Sequence, residues 1–326
     1  MGEFELIDRY FRRDGAPSPQ VPLGIGDDCA LLAPAPGMQL AVSSDLLVEG
    51  RHFLSTADPR RLGHKALAVN LSDLAACGAR PMAFTLALAL PSADEAWLAG
   101  FAQGMFALAD EHGCELAGGD TTRGPLAICI TVFGEVPAGA TIRRNGAREG
   151  DDLWASGTLG DARLSLEAFR GTLSLPAPLF EQTRLRMEMP QPRVALGQAL
   201  RGIATAAIDV SDGLLGDVGH VLRASGVGAT IEAREAIALL AARVNARPGD
   251  LPDDAAQLDC VLAGGDDYEL AFTAPPSARE AVLEAALNSG TAVTRIGRIE
   301  AAPGIRVLDA DGRAITRRFA SFDHFA

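Results

Sequence analysis

Apolar segments that run into aspartate recur along this chain. "GIGDDCALL" sets Asp27 and Asp28 beside an apolar run. "AVSSD" ends at Asp45, "VNLSD" at Asp73 and "LAGGD" at Asp120. "AAIDVSDG" carries Asp209 and Asp212, and "LAGGDD" carries Asp266 and Asp267. Taken singly, each is a common turn or cap residue. If the strand ends converge, many carboxylates meet. At ~4 Å and an effective dielectric of about 20, each like-charged pair costs roughly 4 kcal/mol. Such a gathering calls for cations. Oxygen-only ligands, with no clustered His or Cys, favour hard ions, Mg2+ above all. On this reading Asp27 and Asp28 are adjacent because metal ions bridge them, and Ser43 and Ser44 add neutral oxygens beside Asp45.

The rest of the composition narrows the partners. A chain of 326 residues, 48% hydrophobic and 22% charged, is globular and long enough for two domains. Its net charge of −13 disfavours a nucleic-acid surface but not an anionic small molecule met through cations. The apolar run from Pro81 to Ala93 is too short to span a bilayer, and the N-terminus is amphipathic and acidic, unlike a signal peptide. A cytoplasmic location is expected, with no membrane partner. Cys29, Cys77, Cys114, Cys129 and Cys260 form no CxxC pair and read as reduced core residues. Lys65 is the single lysine, and no GxxxxGK[ST] string exists, so a Walker-type site and lysine-centred catalysis are both disfavoured.

Helix and strand patterns alternate, which indicates an α/β or α+β class. Residues 3 to 13 read as a helix, and Asp58-Pro59 opens another that reaches toward Gly78, with Asp73 inside it. Segments 82–90 and 126–136 are strand-like, and Ser92 with Glu95 forms a capping box for a helix ending near Gly113. "PAGATIRRNGAREGD" breaks the pattern, so a boundary is placed near residue 148, giving domains 1–148 and 149–326. "DLWAS", "GATIE", "YELAFTA", "VTRIGRIE" and "IRVLDADGRAI" read as strands of the second domain. Ser277 with Glu280 suggests a further capping box, and Asp311-Gly312 a hairpin turn. "NLSDL…AGGD" and "DVSDG…AGGD" make a weak internal echo. The Gly-Gly pairs at 118–119 and 264–265 let backbone approach a phosphate, or simply form turns.

Together "GIGDDCALL", "SSDLLVEGRHF", "KALAVNLSDLAACGARP", "GGDTTRG", "RNGAREGD", "SGTLGDA", "DVSDGL" and "GGDDYELAF" resemble the bacterial thiamine-monophosphate kinases, from about residue 4 to the final "FDHF". The resemblance implies the two-domain aminoimidazole-ribotide-synthetase-like fold. In it an N-terminal sheet builds a barrel in a homodimer, and a C-terminal α/β domain completes the substrate site. It implies transfer of a phosphoryl group from ATP to thiamine monophosphate, giving thiamine diphosphate, the last step of that biosynthesis. Several Mg2+ ions assist, and no general base or covalent nucleophile is expected.

Carried over by motif, Asp28, Ser43, Ser44, Asp45, Asp73, Asp120 and Asp209 are Mg2+ ligands, with Asp212 at a further ion. Gly119, Asp120, Arg144 and Ser211 contact ATP, with Arg143 and Arg148 as alternatives to Arg144. His52, Asp266 and Phe322 contact thiamine monophosphate. Asp266 stands where the family usually has Glu, and Phe322 where Trp is common. Without the resemblance, His52 reads as a packing or surface histidine and Arg144 as part of a solvated loop. His64, His112 and His220 read as helix positions with no chemistry assigned. Aminoimidazole-ribotide synthetase is the alternative enzyme, and a non-catalytic cation- or nucleotide-binding protein is the alternative class. The hydrogenase-maturation branch lacks its C-terminal cysteine here, and selenophosphate synthetase its reactive N-terminal residue and nearby lysine.

Overall fold

The computed structural model describes residues 2–13, 18–317 and 319. The chain divides into two compact units, one holding the residues up to Leu74 with Ala79–Ala140, the other Ala75–Gly78 with the residues from Thr141 on.

The first unit is built on a four-stranded sheet: β1 (Met38–Val48), β2 (Arg80–Leu90), β3 (Glu115–Arg123) and β4 (Ala127–Pro137), in the order β1-β4-β2-β3. β4 is antiparallel to both neighbours, while β2 and β3 are parallel. The parallel pair needs a crossover, and helix Glu95–His112 supplies it. That helix starts at Asp94, whose carboxylate accepts the Trp97 N–H at 2.9 Å, not at the Ser92 box expected from the sequence. It ends on Gly113 at φ +59. Helix Pro59–Ala76 opens on Asp58, which accepts the Arg61 N–H at 3.0 Å.

These two helices cross through glycines. A Cβ on Gly63 would lie 2.0 Å from the Phe101 carbonyl oxygen, and one on Gly104 would lie 1.7 Å from that of Arg60. One side of the sheet is closed by Phe84, Leu86, Leu88, Ile128, Ile130 and Val132, all buried. In the registers that pair Val42 with Phe133, Ser44 with Thr131 and Leu46 with Cys129, the other side is open along β1. There Leu40, Val42 and Leu46 are 43%, 56% and 53% exposed, large values for aliphatic side chains in a strand.

The second unit carries a six-stranded mixed sheet of β5 (Asp152–Ser156), β6 (Ala206–Val210), β7 (Gly228–Glu232), β8 (Glu269–Ala274), β9 (Val293–Glu300) and β10 (Gly304–Leu308). The order is β10-β7-β9-β5-β8-β6, and only β10 with β7 is parallel. β5, β6 and β8 are buried at every position, which explains their continuous apolar runs in place of alternation. Leu153, Ile208, Val210, Ala271 and Ile296 meet Leu214, Val218, Leu222 and Val261 in one core.

Helices Asp161–Phe169, Ala177–Glu188 and Asp254–Ala263 had no matching expectation in the sequence. The box at Ser277 and Glu280 does not cap helix Arg279–Ser289, whose N-cap is Ala278 without a side-chain bond. The internal echo has no structural counterpart. Asp73 lies within a helix, Asp212 in a turn, Gly118-Gly119 inside β3 and Gly264-Gly265 after a helix. None of the five cysteines forms a disulfide; Cys114 and Cys260 are buried as expected, but Cys77 and Cys129 are half-buried and Cys29 is exposed.

Gly104→Ala is expected to lower stability by about 3 kcal/mol, because backbone must move to admit the methyl group. A fall in the urea midpoint at constant slope is the measurement; an unchanged midpoint would show that the helices can separate freely.

Candidate active site

In the first unit the acidic residues fall into distinct settings. Asp45 is not at a strand end, as the sequence suggested, because β1 continues to Val48. Being on an edge strand, its N–H lacks a sheet partner on one side. Asn70 of helix Pro59–Ala76, 1% exposed, supplies one: its Oδ1 accepts the Asp45 N–H at 3.0 Å while its Nδ2 donates to the Ala66 carbonyl at 3.0 Å. One turn on, Asp73 accepts a hydrogen bond from the Ser43 hydroxyl at 2.5 Å. Helix and strand are thus stitched together at the expected ligands, and Asn70 belongs to that seam although sequence reasoning passed over it. Its signal was the Asn-x-x-Asp spacing on one helix face.

Ser44 faces the other way, with Thr131 Oγ1 at 2.9 Å and the Ile130 carbonyl at 3.2 Å. Asp120 lies inside β3, in register with Ala87, one row from the pair Leu86 and Gly119. Gly119 is no turn: at φ +153 it fits against β2, where a Cβ would sit 1.9 Å from the Leu86 carbonyl oxygen. Asp28 is exposed, and its N–H donates to the Asp27 carboxylate at 2.9 Å. His52 is half-buried; its Nδ1 accepts the Val48 N–H at 2.9 Å, which leaves Nε2 as the donor.

In the second unit, β6 delivers Asp209, 5% exposed, and then turns through Ser211, Asp212 and Gly213 into helix Leu214–Ser225. Three N–H groups of this turn point at one atom. Asp217 Oδ2 accepts from Ser211 at 3.0 Å, from Asp212 at 3.1 Å and from Gly213 at 3.1 Å. Burial pushes the Asp217 carboxyl up to about 6, against those three bonds.

Beside the turn runs the segment Gly264–Tyr268. The Asp266 N–H donates to the Ser211 carbonyl at 2.9 Å, and the Tyr268 N–H to that of Val210 at 2.9 Å. Asp266 and Tyr268 both hold left-handed backbone, φ +70 and +51, and the Tyr268 hydroxyl reaches the Asp266 carboxylate at 3.3 Å. Asp267 points inward. It is 1% exposed, accepts the Gly160 N–H at 2.9 Å, and burial raises its carboxyl well above the usual range. Arg144 is exposed on the loop before β5. Phe322 lies outside the described residues. Among the described residues, no three His, Cys, Asp or Glu side chains form a group that could hold a metal ion. Nor is any helix of the described residues long and apolar enough to cross a membrane.

Residues 26–136 match the AIR synthase related protein, N-terminal domain, and residues 148–310 the AIR synthase related protein, C-terminal domain. The thiamine-monophosphate kinase of Escherichia coli (strain K12) is 44% identical over 326 residues, covering 100% of this chain and 98% of that protein. The chain belongs to the thiamine-monophosphate kinase family. A crystal structure of the thiamine-monophosphate kinase from Stenotrophomonas maltophilia K279a superposes with a TM-score of 0.81 at 45% identity, covering 96% of each chain. AaThiL, solved in complex with AMPPCP and TMP, superposes with a TM-score of 0.74 at 30% identity, covering 92% of each. The fold expected from the resemblance is therefore the one found, two α/β domains of the AIR synthase type. The turn that carries Asp266 is fixed by main-chain bonds from Asp266 to Ser211 and from Tyr268 to Val210.

The raised Asp217 carboxyl has a pH signature. With the folded value above the ordinary 3.8, the stability it contributes is full at low pH and is lost as pH rises through about 6. Asp217→Asn keeps an accepting oxygen and cannot ionise. It is expected to flatten the stability curve between roughly pH 4 and 7, measured by urea melts. A variant curve of unchanged shape would refute the shifted carboxyl.

Proposed function

We propose that this chain phosphorylates thiamine monophosphate with ATP, yielding thiamine diphosphate in the last step of that biosynthesis. The observation that carries the reading is the 44% identity to a thiamine-monophosphate kinase along the whole chain. The complex of AaThiL with AMPPCP and TMP adds to it.

The acceptor is a phosphate monoester, whose second pKa is near ~6, so at neutral pH its oxygen is already a nucleophile. No general base is needed, and the chain's work is to position two anions in line and offset their repulsion. On this reading Gly119, Asp120, Arg144 and Ser211 contact ATP. His52, Asp266 and Phe322 contact thiamine monophosphate, whose cationic ring suits an aromatic partner.

Mg2+ is the expected cofactor. Asp28, Ser43, Ser44, Asp45, Asp73, Asp120, Asp209 and Asp212 are the residues that would hold it. The donor set is carboxylate and hydroxyl throughout, which suits a hard cation that takes one or two carboxylates and fills its shell with phosphate and water. When bound, the ions would neutralise the polyphosphate charge. The Ser43–Asp73 bond holds two of these oxygens beforehand, and Asn70 holds the Asp45 main chain.

Two further points belong to the same reading. The chain works as a homodimer through the open side of β1, whose exposed Leu40, Val42 and Leu46 form an apolar stripe. Its five cysteines, none of them in a disulfide, suit a cytoplasmic location.

Purified protein with ATP, Mg2+ and thiamine monophosphate is expected to give thiamine diphosphate on chromatography, and none with EDTA. Asp45→Asn and Asp120→Asn are each expected to lower kcat/KM by about 100-fold or more. Folded protein that binds ATP but makes no product would sink the kinase reading; product without either carboxylate would sink the ligand assignments. Val42→Asp is expected to halve the mass seen by sedimentation, and a dimer that survives it would place the interface elsewhere.

A further inference from the structure

The loop that carries Arg144 is exposed, yet its backbone is not loose. Ala207 of β6 donates its N–H to the Arg143 carbonyl at 3.2 Å. Ser225, the last residue of helix Leu214–Ser225, holds the rest with one hydroxyl. Its Oγ accepts the N–H groups of Gly146 at 3.1 Å and Ala147 at 3.2 Å, and donates to the Arg144 carbonyl at 3.2 Å. One hydroxyl thereby uses both its acceptor capacity and its proton on three consecutive points of the loop. Gly146 lets the loop lie this close: a Cβ there would fall 2.0 Å from the Thr205 carbonyl oxygen.

Burial lowers the His220 imidazole, with Arg223 and Arg144 acting in the same direction and Asp212 against them. His220 lies on the helix that Ser225 ends. The same helix carries Asp217 near its start, which gathers the N–H groups of Ser211, Asp212 and Gly213. One rigid element therefore fixes the turn at one end and the Arg144 loop at the other.

We infer that Ser225 is a positioning residue for the nucleotide: its hydroxyl clamps the loop so that Arg144 is held ready for the ATP phosphates. This rests on the reading above that Arg144 contacts ATP. A clamped loop surrenders little freedom on binding, whereas a released one must be ordered by the ligand, and that cost falls on affinity.

The test is a double-mutant cycle in steady-state kinetics. Ser225→Ala is expected to raise the KM for ATP about tenfold, with kcat and the KM for thiamine monophosphate changed less than about twofold. Ser225→Thr, which restores the hydroxyl, should return the KM toward the starting value. Ser225→Cys, close in size but a weak hydrogen-bonding group, should behave like Ser225→Ala and serves if the alanine variant does not fold. In an Arg144→Ala background, loss of the hydroxyl should add nothing further. An unchanged KM for ATP in both hydroxyl-free variants overturns the proposal, as does an equal rise in both backgrounds. If Arg144→Ala itself leaves the KM for ATP unchanged in an active enzyme, the Arg144 assignment fails first and the clamp has nothing to position.

Discussion

Glu269 is the buried charge around which the second unit is arranged. Its side chain is 1% exposed, and a carboxylate there needs compensation worth several kcal/mol. Arg186 donates to it at 2.7 Å, Arg193 through Nε at 2.6 Å, and the Ser156 hydroxyl at 2.6 Å. Gly157 must be glycine beside it, since a Cβ would meet Glu269 Oε1 at 2.0 Å. This knot fixes the first residue of β8 and so one end of the turn before it. The other end is fixed by the carbonyls of Val210 and Ser211. Two left-handed non-glycine residues, each strained by about 1–3 kcal/mol, persist only where surroundings determine them this fully. The Asp266 carboxylate is carried by a turn with no slack.

The class, the alternation of elements and most strands were legible because they rest on local period. "DLWAS" and "GATIE" are strands as read, and Asp73 sits inside a helix as read. What failed was also local in kind. Ser92 and Asp94 both satisfy a capping pattern, and only the observed bond to Trp97 chooses between them. "ELAGGDTTR" looks like a glycine turn because nothing nearby in sequence reveals that β2 will lie alongside and need a residue without Cβ at Gly119. Ser225 is hidden for the same reason: the backbone it serves is 78 to 81 residues away and leaves no periodic trace. Asn70 shows only its helical spacing from Asp73, and Asp217, whose partners are 4 to 6 residues back, reads in sequence as an ordinary helix position.

The aspartates described above, with Asp161 added, include two contrasting kinds once burial is known. Asp161, Asp217 and Asp267 face inward and accept backbone N–H groups, and burial raises all three carboxyls. Asp28, Asp120 and their neighbours face outward or onto polar partners. The pair Asp266-Asp267 straddles that divide: the first meets the Tyr268 hydroxyl, the second the Gly160 N–H. At Asp27-Asp28 the Asp28 N–H donates to the Asp27 carboxylate, so this adjacency serves a local turn whether or not a cation joins it.

Charge decides what remains for the nucleotide. The chain carries −13, so a polyphosphate is repelled at long range, and that field fades beyond about 8 Å at physiological salt. Attraction must be short-ranged and already in place. Lys65, the single lysine, is 4% exposed within a helix, so it cannot take the role of a phosphate-loop lysine reaching into solvent. The positive groups left are guanidiniums, whose fork pairs well with phosphate only when its direction is set beforehand. On an exposed loop that direction has to come from the backbone. For Arg144 the backbone is tied to β6 through Arg143 and to the helix end through Ser225. A strongly acidic protein can recognise a polyanion on these terms, because a few fixed donors act where the mean field of the molecule no longer does.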